Sequence, residues 1–294
     1  MDSPDYELLD AGHGRKLERF GGFVFNRPCS QAIWKPGLPA AAWENADATL
    51  VREGDTRWVF RKPLPASWTT TVDGLGFELS TTDFGHVGIF PEHARAWRWT
   101  SACIKKAIPA RGTAPSVLNL FAYSGGASLA AARAGAQVCH LDASKKMVEW
   151  ARRNAALNRL ETAPIRWIVD DATGFLQREI RRGRRYDGII LDPPSFGRGA
   201  KMELFKIDTD LEALLALCRQ ALSDNPLFLF LSCHTPGYTP TVLSHLVSQT
   251  ASGLPGTVES GEMLLAGKPG VLPVPSGAWC GWRSAETGNA PLAE

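Results

Sequence analysis

No two of the six cysteines (Cys29, Cys103, Cys139, Cys218, Cys233, Cys280) form a C-x-x-C pair, so a zinc-ribbon or thioredoxin reading has no support and no metal is expected. Long apolar runs are also missing. No stretch of 18 apolar residues exists to cross a bilayer as a helix, and Met1 to Asp10 carry no apolar signal core. The expectation is a reduced, cytoplasmic, soluble protein without a membrane partner. Excess charge is absent: 32 Lys and Arg face 30 Asp and Glu, a formal net charge of +2. Any nucleic-acid contact must then come from local patches. Neither a G-x-G-x-x-G fingerprint nor a P-loop Gly-Lys-Ser/Thr is present, which argues against NAD, FAD and nucleotide-triphosphate binding. Internal repeats and low-complexity segments are lacking too.

The 294 residues, 44% hydrophobic, suit one α/β domain with an appended module. Residues 1–100 are rich in Gly, Pro and Trp, and six of the ten tryptophans lie there. Short apolar runs (Gly22 to Asn26, Arg57 to Arg61, Leu75 to Ser80) separated by turn residues predict a small β-rich module. Its tryptophans read as packing residues in preference to base-stacking platforms. Residues 101–294 form the second region. Strand-like segments at Ser116–Phe121, Gln137–Leu141, Ile165–Val169, Gly188–Leu191 and Leu227–Ser232 alternate with helical ones at Ala127–Ala134, Lys145–Leu157, Gly174–Arg182 and Leu211–Leu222. Such alternation builds a doubly wound, mostly parallel sheet with helices on both faces. The tail after Pro236 is expected to add an edge strand or two.

Ligands of such sheets bind beyond the carboxyl ends of the strands, so the residues just after each strand carry the chemistry. The first strand runs into Asn119-Leu120-Phe121-Ala122-Tyr123-Ser124-Gly125-Gly126, a glycine-ended loop before a helix. The second is followed by Asp142, which can accept hydrogen bonds from both hydroxyls of a ribose. The third ends in Asp170-Asp171-Ala172, where a carboxylate can accept from an exocyclic amine or simply cap the next helix. The fourth ends in Asp192-Pro193-Pro194-Ser195-Phe196. Its two prolines remove two amide donors and turn carbonyls, with the Asp192 carboxylate, toward the cleft.

Taken in order, these segments resemble class I S-adenosylmethionine-dependent methyltransferases. More narrowly, with Thr82-Asp83-Phe84-Gly85-His86-Val87-Gly88-Ile89-Phe90-Pro91-Glu92-His93 upstream, the chain resembles the bacterial 23S ribosomal RNA large-subunit methyltransferases that act on cytosine C5 or guanine N7. The resemblance covers most of residues 70–235. It implies a seven-stranded class I methyltransferase sheet, S-adenosyl-L-methionine as cofactor, and ribosomal RNA as partner. It also implies a cofactor site made of Phe90, Asn119, Phe121, Tyr123, Ser124, Gly125, Gly126, Asp142, Ala143, Asp171, Ala172, Asp192 and Pro193. Asp142 would hold the ribose, Asp171 the adenine, the Phe121–Gly126 loop the methionine end, and Asp192 would lie between donor and acceptor. Many relatives carry a lysine after the two prolines, where this chain has Ser195. The RNA-binding PUA domain of the cytosine enzymes is not recognisable in residues 1–70.

Two acceptors remain open at this stage. Cytosine C5 needs a cysteine thiolate added at C6 first, and the resemblance implies such a nucleophile at the end of the fifth strand, where Cys233 stands; a packed thiol is the alternative. His234 beside it would favour a thiolate if charged, though strand neighbours point to opposite faces. Guanine N7 is nucleophilic already and needs only positioning. Two basic stretches are candidates for gripping RNA, or are solvated helix faces: Arg178 to Arg185 with Arg152-Arg153, and Arg95, Arg98, Lys105 and Lys106 among Trp97 and Trp99. Transfer to a protein or small molecule, and a non-catalytic cofactor-binding module, are the competing hypotheses.

Overall fold

The computed structural model describes residues 5–52, 56–198 and 204–287. Contacts divide the chain into two compact units, Met1–Ala94 with Met263–Ser276, and Arg95–Glu262 with Gly277–Glu294.

The first unit is β-rich. Strands β1 (Glu7–Gly12), β2 (Arg15–Phe20), β3 (Phe23–Pro28), β4 (Ala48–Val51) and β5 (Arg57–Phe60) form one sheet in sequence order. A short helix α1 (Ala40–Glu44) lies on the crossover between the parallel pair β3 and β4. β6 (Trp68–Val72) and β7 (Leu75–Leu79) make a separate hairpin. Phe20, Phe25, Trp58 and Trp68 pack ring against ring, so these two tryptophans serve packing. Residues of the Met263–Ser276 segment complete its core: Leu265 and Val274 are buried with Leu8, Ala11 and Ala32.

The second unit opens with helix α2 (Ala94–Arg111) and then alternates: β8 (Ser116–Leu120), α3 (Gly126–Arg133), β9 (Gln137–Asp142), α4 (Lys145–Leu157), β10 (Ile165–Val169), α5 (Ala172–Arg181) and β11 (Gly188–Leu191). A two-stranded ribbon follows, β12 (Phe196–Arg198) with β13 (Leu204–Lys206). Then come α6 (Ile207–Ala221), β14 (Phe228–Cys233), α7 (Pro240–Thr250), β15 (Gly256–Leu265) and β16 (Val274–Ser284). The seven-stranded sheet has the order β10-β9-β8-β11-β14-β16-β15, parallel from β10 through β14, with β16 antiparallel to β14. The doubly wound, mostly parallel sheet is therefore present, and the tail supplies its last two strands.

Strand alternation sorts the side chains onto two faces. Leu118, Leu120, Cys139, Leu141, Ile189, Leu191, Leu229, Leu231 and Cys233 share one apolar core with residues of α5, α6 and α7. The intervening residues point to the other face, where Trp99 of α2 packs on Phe228 and Phe230, and Ser128 of α3 meets Asn119. The central strands β11 and β14 are buried along their whole length, as interior parallel strands require. Helix starts follow capping chemistry: Ser144, Asp171 and Thr239 each accept an amide of the following first turn. Among the described residues no helix is long and apolar enough to cross a membrane.

One ion cluster in the first unit yields a pH prediction. The Glu18 carboxylate is fully buried and is held by Arg27 (2.7 Å), Lys16 (3.2 Å) and the Tyr6 hydroxyl (3.0 Å). Burial alone would raise its pKa, but Arg27 and then Lys16 outweigh that and hold it below the ordinary value of 4.5. The stability it contributes is present above that value and is lost as pH falls through the lowered folded value. Denaturant melts of the wild type should show a steep loss below pH 4.5. In Glu18→Gln that part of the slope should flatten, while stability at pH 7 drops by about 3–5 kcal/mol because Arg27 is left buried and unpaired.

Candidate active site

Parallel register brings the strand ends into one line. Leu120 pairs with Leu141 and Leu191, and Leu191 with Leu231. The next residue on each strand is therefore Phe121, Asp142, Asp192 and Ser232. At about 4.8 Å per strand, Asp142 and Asp192 stand on either side of the β8 loop, roughly 10 Å apart. Asp171 lies one strand beyond Asp142.

The β8 loop is wound tightly. Phe121 and Tyr123 have φ of 55° and 49°, and Gly125, the residue before α3, has 96°. Two non-glycine residues in the left-handed region cost about 1–3 kcal/mol each, a strain that surrounding contacts must hold in place. They do so at three points. The Asp142 carboxylate accepts the amide of Tyr123 on Oδ2 and that of Ser144 on Oδ1, each at 2.9 Å. The carbonyl of Ser124 accepts the Nδ2 of the buried Asn154 at 2.9 Å. Gly126 fits because it has no Cβ, which would overlap the Trp97 ring.

Beneath the loop runs a buried neutral chain. Asn119 Nδ2 donates to Ser128 Oγ at 2.9 Å, and Ser128 Oγ lies 2.9 Å from His140 Nδ1. Burial pushes the His140 pKa down to about 3, so the imidazole is neutral at physiological pH. Asn119 is therefore engaged in supporting α3.

The acids differ in what they already do. Burial raises the Asp142 carboxyl pKa, and the two amide bonds oppose this only in part. A carboxylate accepts up to about four hydrogen bonds, so two sites remain for the hydroxyls of a ligand. Asp171 caps α5, accepting the Gly174 amide on Oδ1 at 2.6 Å. Ala143 follows Asp142 directly, and Ala172 is the buried first residue of α5. Asp192 Oδ1 accepts from the buried Ser232 hydroxyl at 2.8 Å, and its Oδ2 lies 3.9 Å from His234 Nε2. Pro193 is buried and Pro194 exposed. Ser195 Oγ lies 2.7 Å from Thr235 Oγ1.

Cys233 points the other way. It belongs to the apolar core with Leu231, Leu243 and Ala278, where its sulfur accepts the Thr235 amide at 3.4 Å. Burial pushes its thiol pKa up, and Asp192 and Asp208 add to the rise. Phe90 belongs to the first unit, at the entry to a one-turn helix Pro91–His93, edge-on to His86 at 5.0 Å.

The ribbon that continues the Asp192–Pro194 exit has two faces. Phe205 packs inward on Phe121 with ring centroids 5.3 Å apart. Phe196, paired with Lys206, is 68% exposed. The basic stretches lie elsewhere. α5 starts at the site end of β10, so Arg182 to Arg185 fall at the opposite end of the sheet, before β11. There the buried Glu179 holds Arg166 at 2.7 Å, Arg182 at 3.4 Å and Arg184 at 3.7 Å. In α2, Trp97 and Trp99 are buried.

Ser232, Ser128, His140, Asn154, Thr235 and Phe205 are the residues of the site that the motifs did not name. Ser232 had a partial signal: alternation along β14 sends it to the face opposite Cys233. Asn154 had one as well, as an amide on the apolar face of α4 beside Ala151 and Ala155. The whole line fits an extended ligand with a hydroxyl-bearing ring over β9 and a polar tail under the β8 loop. The desolvated Asp142, whose oxygens each accept one amide and have accepting capacity to spare, is the observation that carries the fit.

A family model described as S-adenosylmethionine-dependent methyltransferase matches residues 26–251. The crystal structure of a SAM-dependent methyltransferase from Agrobacterium tumefaciens is 41% identical, with a TM-score of 0.88 over 95% of this chain and 90% of that one. A putative methyltransferase complexed with SAH, SMU.776, shares 18% identity and a TM-score of 0.73 over 96% of this chain and 76% of its own, a likeness of fold. The "Ribosomal RNA large subunit methyltransferase K/L" of Pseudoalteromonas atlantica is 35% identical over 145 residues, 49% of this chain. This chain spans only 19% of that relative's length.

Replacing Gly126 by alanine drives a methyl group into the Trp97 ring. Thermal or urea unfolding of Gly126→Ala should report a loss of about 1–3 kcal/mol, as overpacking does; a wild-type midpoint would show that Trp97 moves aside freely.

Proposed function

The chain belongs to the S-adenosylmethionine-dependent methyltransferase family, and we propose that it methylates a base of large-subunit ribosomal RNA at a ring nitrogen, guanine N7, without a covalent cysteine intermediate. The observation that carries the choice of atom is the opposed orientation of two neighbours on β14. Ser232 faces Asp192 across the site, while Cys233 faces the apolar core with a raised thiol pKa. A buried protonated thiol is a poor nucleophile, so the C5 route has no activated sulfur on the site face.

S-adenosylmethionine supplies an electrophilic methyl group on a sulfonium. Asp142 would hold its ribose hydroxyls, and the β8 loop (Phe121 to Gly126) its methionine end. Asp171, with Ala172, would border the adenine from the third strand; its second oxygen is the one left by the Gly174 cap. On the acceptor side, a guanine ring nitrogen brings its own lone pair, so this chain's residues need only place it in line. The Asp192 carboxylate would accept hydrogen bonds from the base's N–H groups, and Pro193 and Pro194 bring no backbone N–H to that exit.

RNA as the substrate class rests on the K/L relative and on the ribbon at the site's edge. An exposed Phe196 paired with Lys206 offers a stacking face and a cation to an unstacked nucleotide. The internally bonded arginines before β11 lie too far from the strand ends to hold the target base. Ribosomal RNA also implies a cytoplasmic setting, in which the six free cysteines stay reduced.

Purified protein, labelled S-adenosylmethionine and undermethylated large-subunit RNA give the decisive measurement, with the labelled nucleoside identified by mass spectrometry. The expected product is 7-methylguanosine, with Cys233→Ala active within about threefold of wild type. Labelled 5-methylcytidine abolished in Cys233→Ala would reverse the choice of atom. Label in a protein or metabolite fraction, or in none, would remove RNA as the substrate. Separately, calorimetry should show Asp142→Ala binding S-adenosylhomocysteine at least about tenfold more weakly, the loss of one or two hydrogen bonds to a charged group.

A further inference from the structure

We propose that Ser232 is the positioning residue for Asp192, and that together with the Ser195–Thr235 hydroxyl pair it forms a two-point latch holding the acceptor-side loop on β14. The proposal rests on the reading of Asp192 as the acceptor-side carboxylate.

The need for a latch follows from the loop's own sequence. Asp192 is followed by Pro193 and Pro194, which have no backbone N–H. The loop therefore lacks two of the amide donors that would normally fasten a strand exit to its neighbour, and side chains take their place. Ser232 is buried, and its single proton has two acceptors within reach: Asp192 Oδ1 at 2.8 Å and the Leu191 carbonyl at 3.3 Å. The carboxylate is nearer and charged, so it takes the stronger bond. Three residues further along both strands, Ser195 Oγ and Thr235 Oγ1 meet at 2.7 Å. Beyond them the Ser195 carbonyl accepts the Ile207 amide at 3.2 Å, which carries the constraint to the end of the ribbon and the start of α6. Each hydroxyl sits on a strand end or loop of the acceptor side, and none reaches the cofactor side of the line. The latch thus fixes where Asp192 points relative to the β8 loop, and a shift of about 1 Å in such placement costs roughly a hundredfold in rate.

The variants are Ser232→Ala, Ser195→Ala and the hydroxyl-keeping Ser232→Thr, each checked for wild-type melting and S-adenosylhomocysteine affinity. Methyl transfer to undermethylated large-subunit RNA is followed with hydrogen exchange of the amides of Ser195, Phe196, Gly197 and Ile207. In Ser232→Ala kcat should fall about tenfold to a hundredfold while KM for RNA and cofactor affinity stay within about threefold. Exchange at those amides should quicken about fivefold or more. Ser195→Ala should move both readouts the same way, and Ser232→Thr should restore both to within about threefold of wild type. Wild-type kcat and exchange in a folded Ser232→Ala would overturn the latch, as would a threonine variant no better than alanine or a loss of cofactor affinity equal to the loss of kcat. The exchange measurement needs no acceptor, so it judges the latch even where wild-type protein fails to label RNA, a result that sinks the RNA reading instead. Full transfer by Asp192→Asn would sink the role of Asp192.

Discussion

The amides of Tyr123 and Ser144 both end on the Asp142 carboxylate, one on each oxygen. Through that one side chain the turn after β8 is tied to the turn after β9, and the left-handed residues of the first are kept from relaxing. The same carboxylate is desolvated and held only by amides, which keeps part of its accepting capacity available. Structural and binding roles are thus carried by the same atoms, and the loop's geometry is preset before any ligand arrives. The neutral chain from Asn119 through Ser128 to His140 lies directly under it and brings no charge to compete.

Most of the Rossmann-like half was legible in the sequence because its signals are local. Apolar runs bounded by turn residues gave the strands β8 to β11 and β14 to within a residue or two, and Ser144 and Asp171 mark helix starts by capping chemistry that any sequence displays. The acids at strand ends could be found because the parallel sheet puts every such position on one rim. What could not be read was anything that depends on which face a residue takes at a strand's last position. Cys233 and Ser232 are adjacent, and only the register of β14 with β11 sends one into the core and the other to Asp192.

The ribbon β12–β13 escaped for a different reason. Three-residue strands carry too little periodicity to stand out, and Phe205 earns its place only by meeting Phe121 from 84 residues away in the chain. The basic run Arg178–Arg185 shows the opposite error that charge counting invites. It is conspicuous in sequence, yet two of its guanidinium groups, Arg182 and Arg184, are organised around the buried Glu179, at the end of the sheet remote from the site.

The assignment of Met263–Ser276 to the first unit has a consequence for how the chain is made. Leu8, Ala11 and Ala32 emerge from the ribosome early, but Leu265 and Val274, which bury them, are synthesised some 170 residues after Ala94 closes the first stretch. At ordinary elongation rates that is a delay on the order of ten seconds. During it the nascent module presents an open apolar seam beside β1, while the strands β8 to β14 of the α/β unit are being made. A stretch translated ahead of the α/β unit is in this way finished only after strands β8 to β14 of that unit have been made.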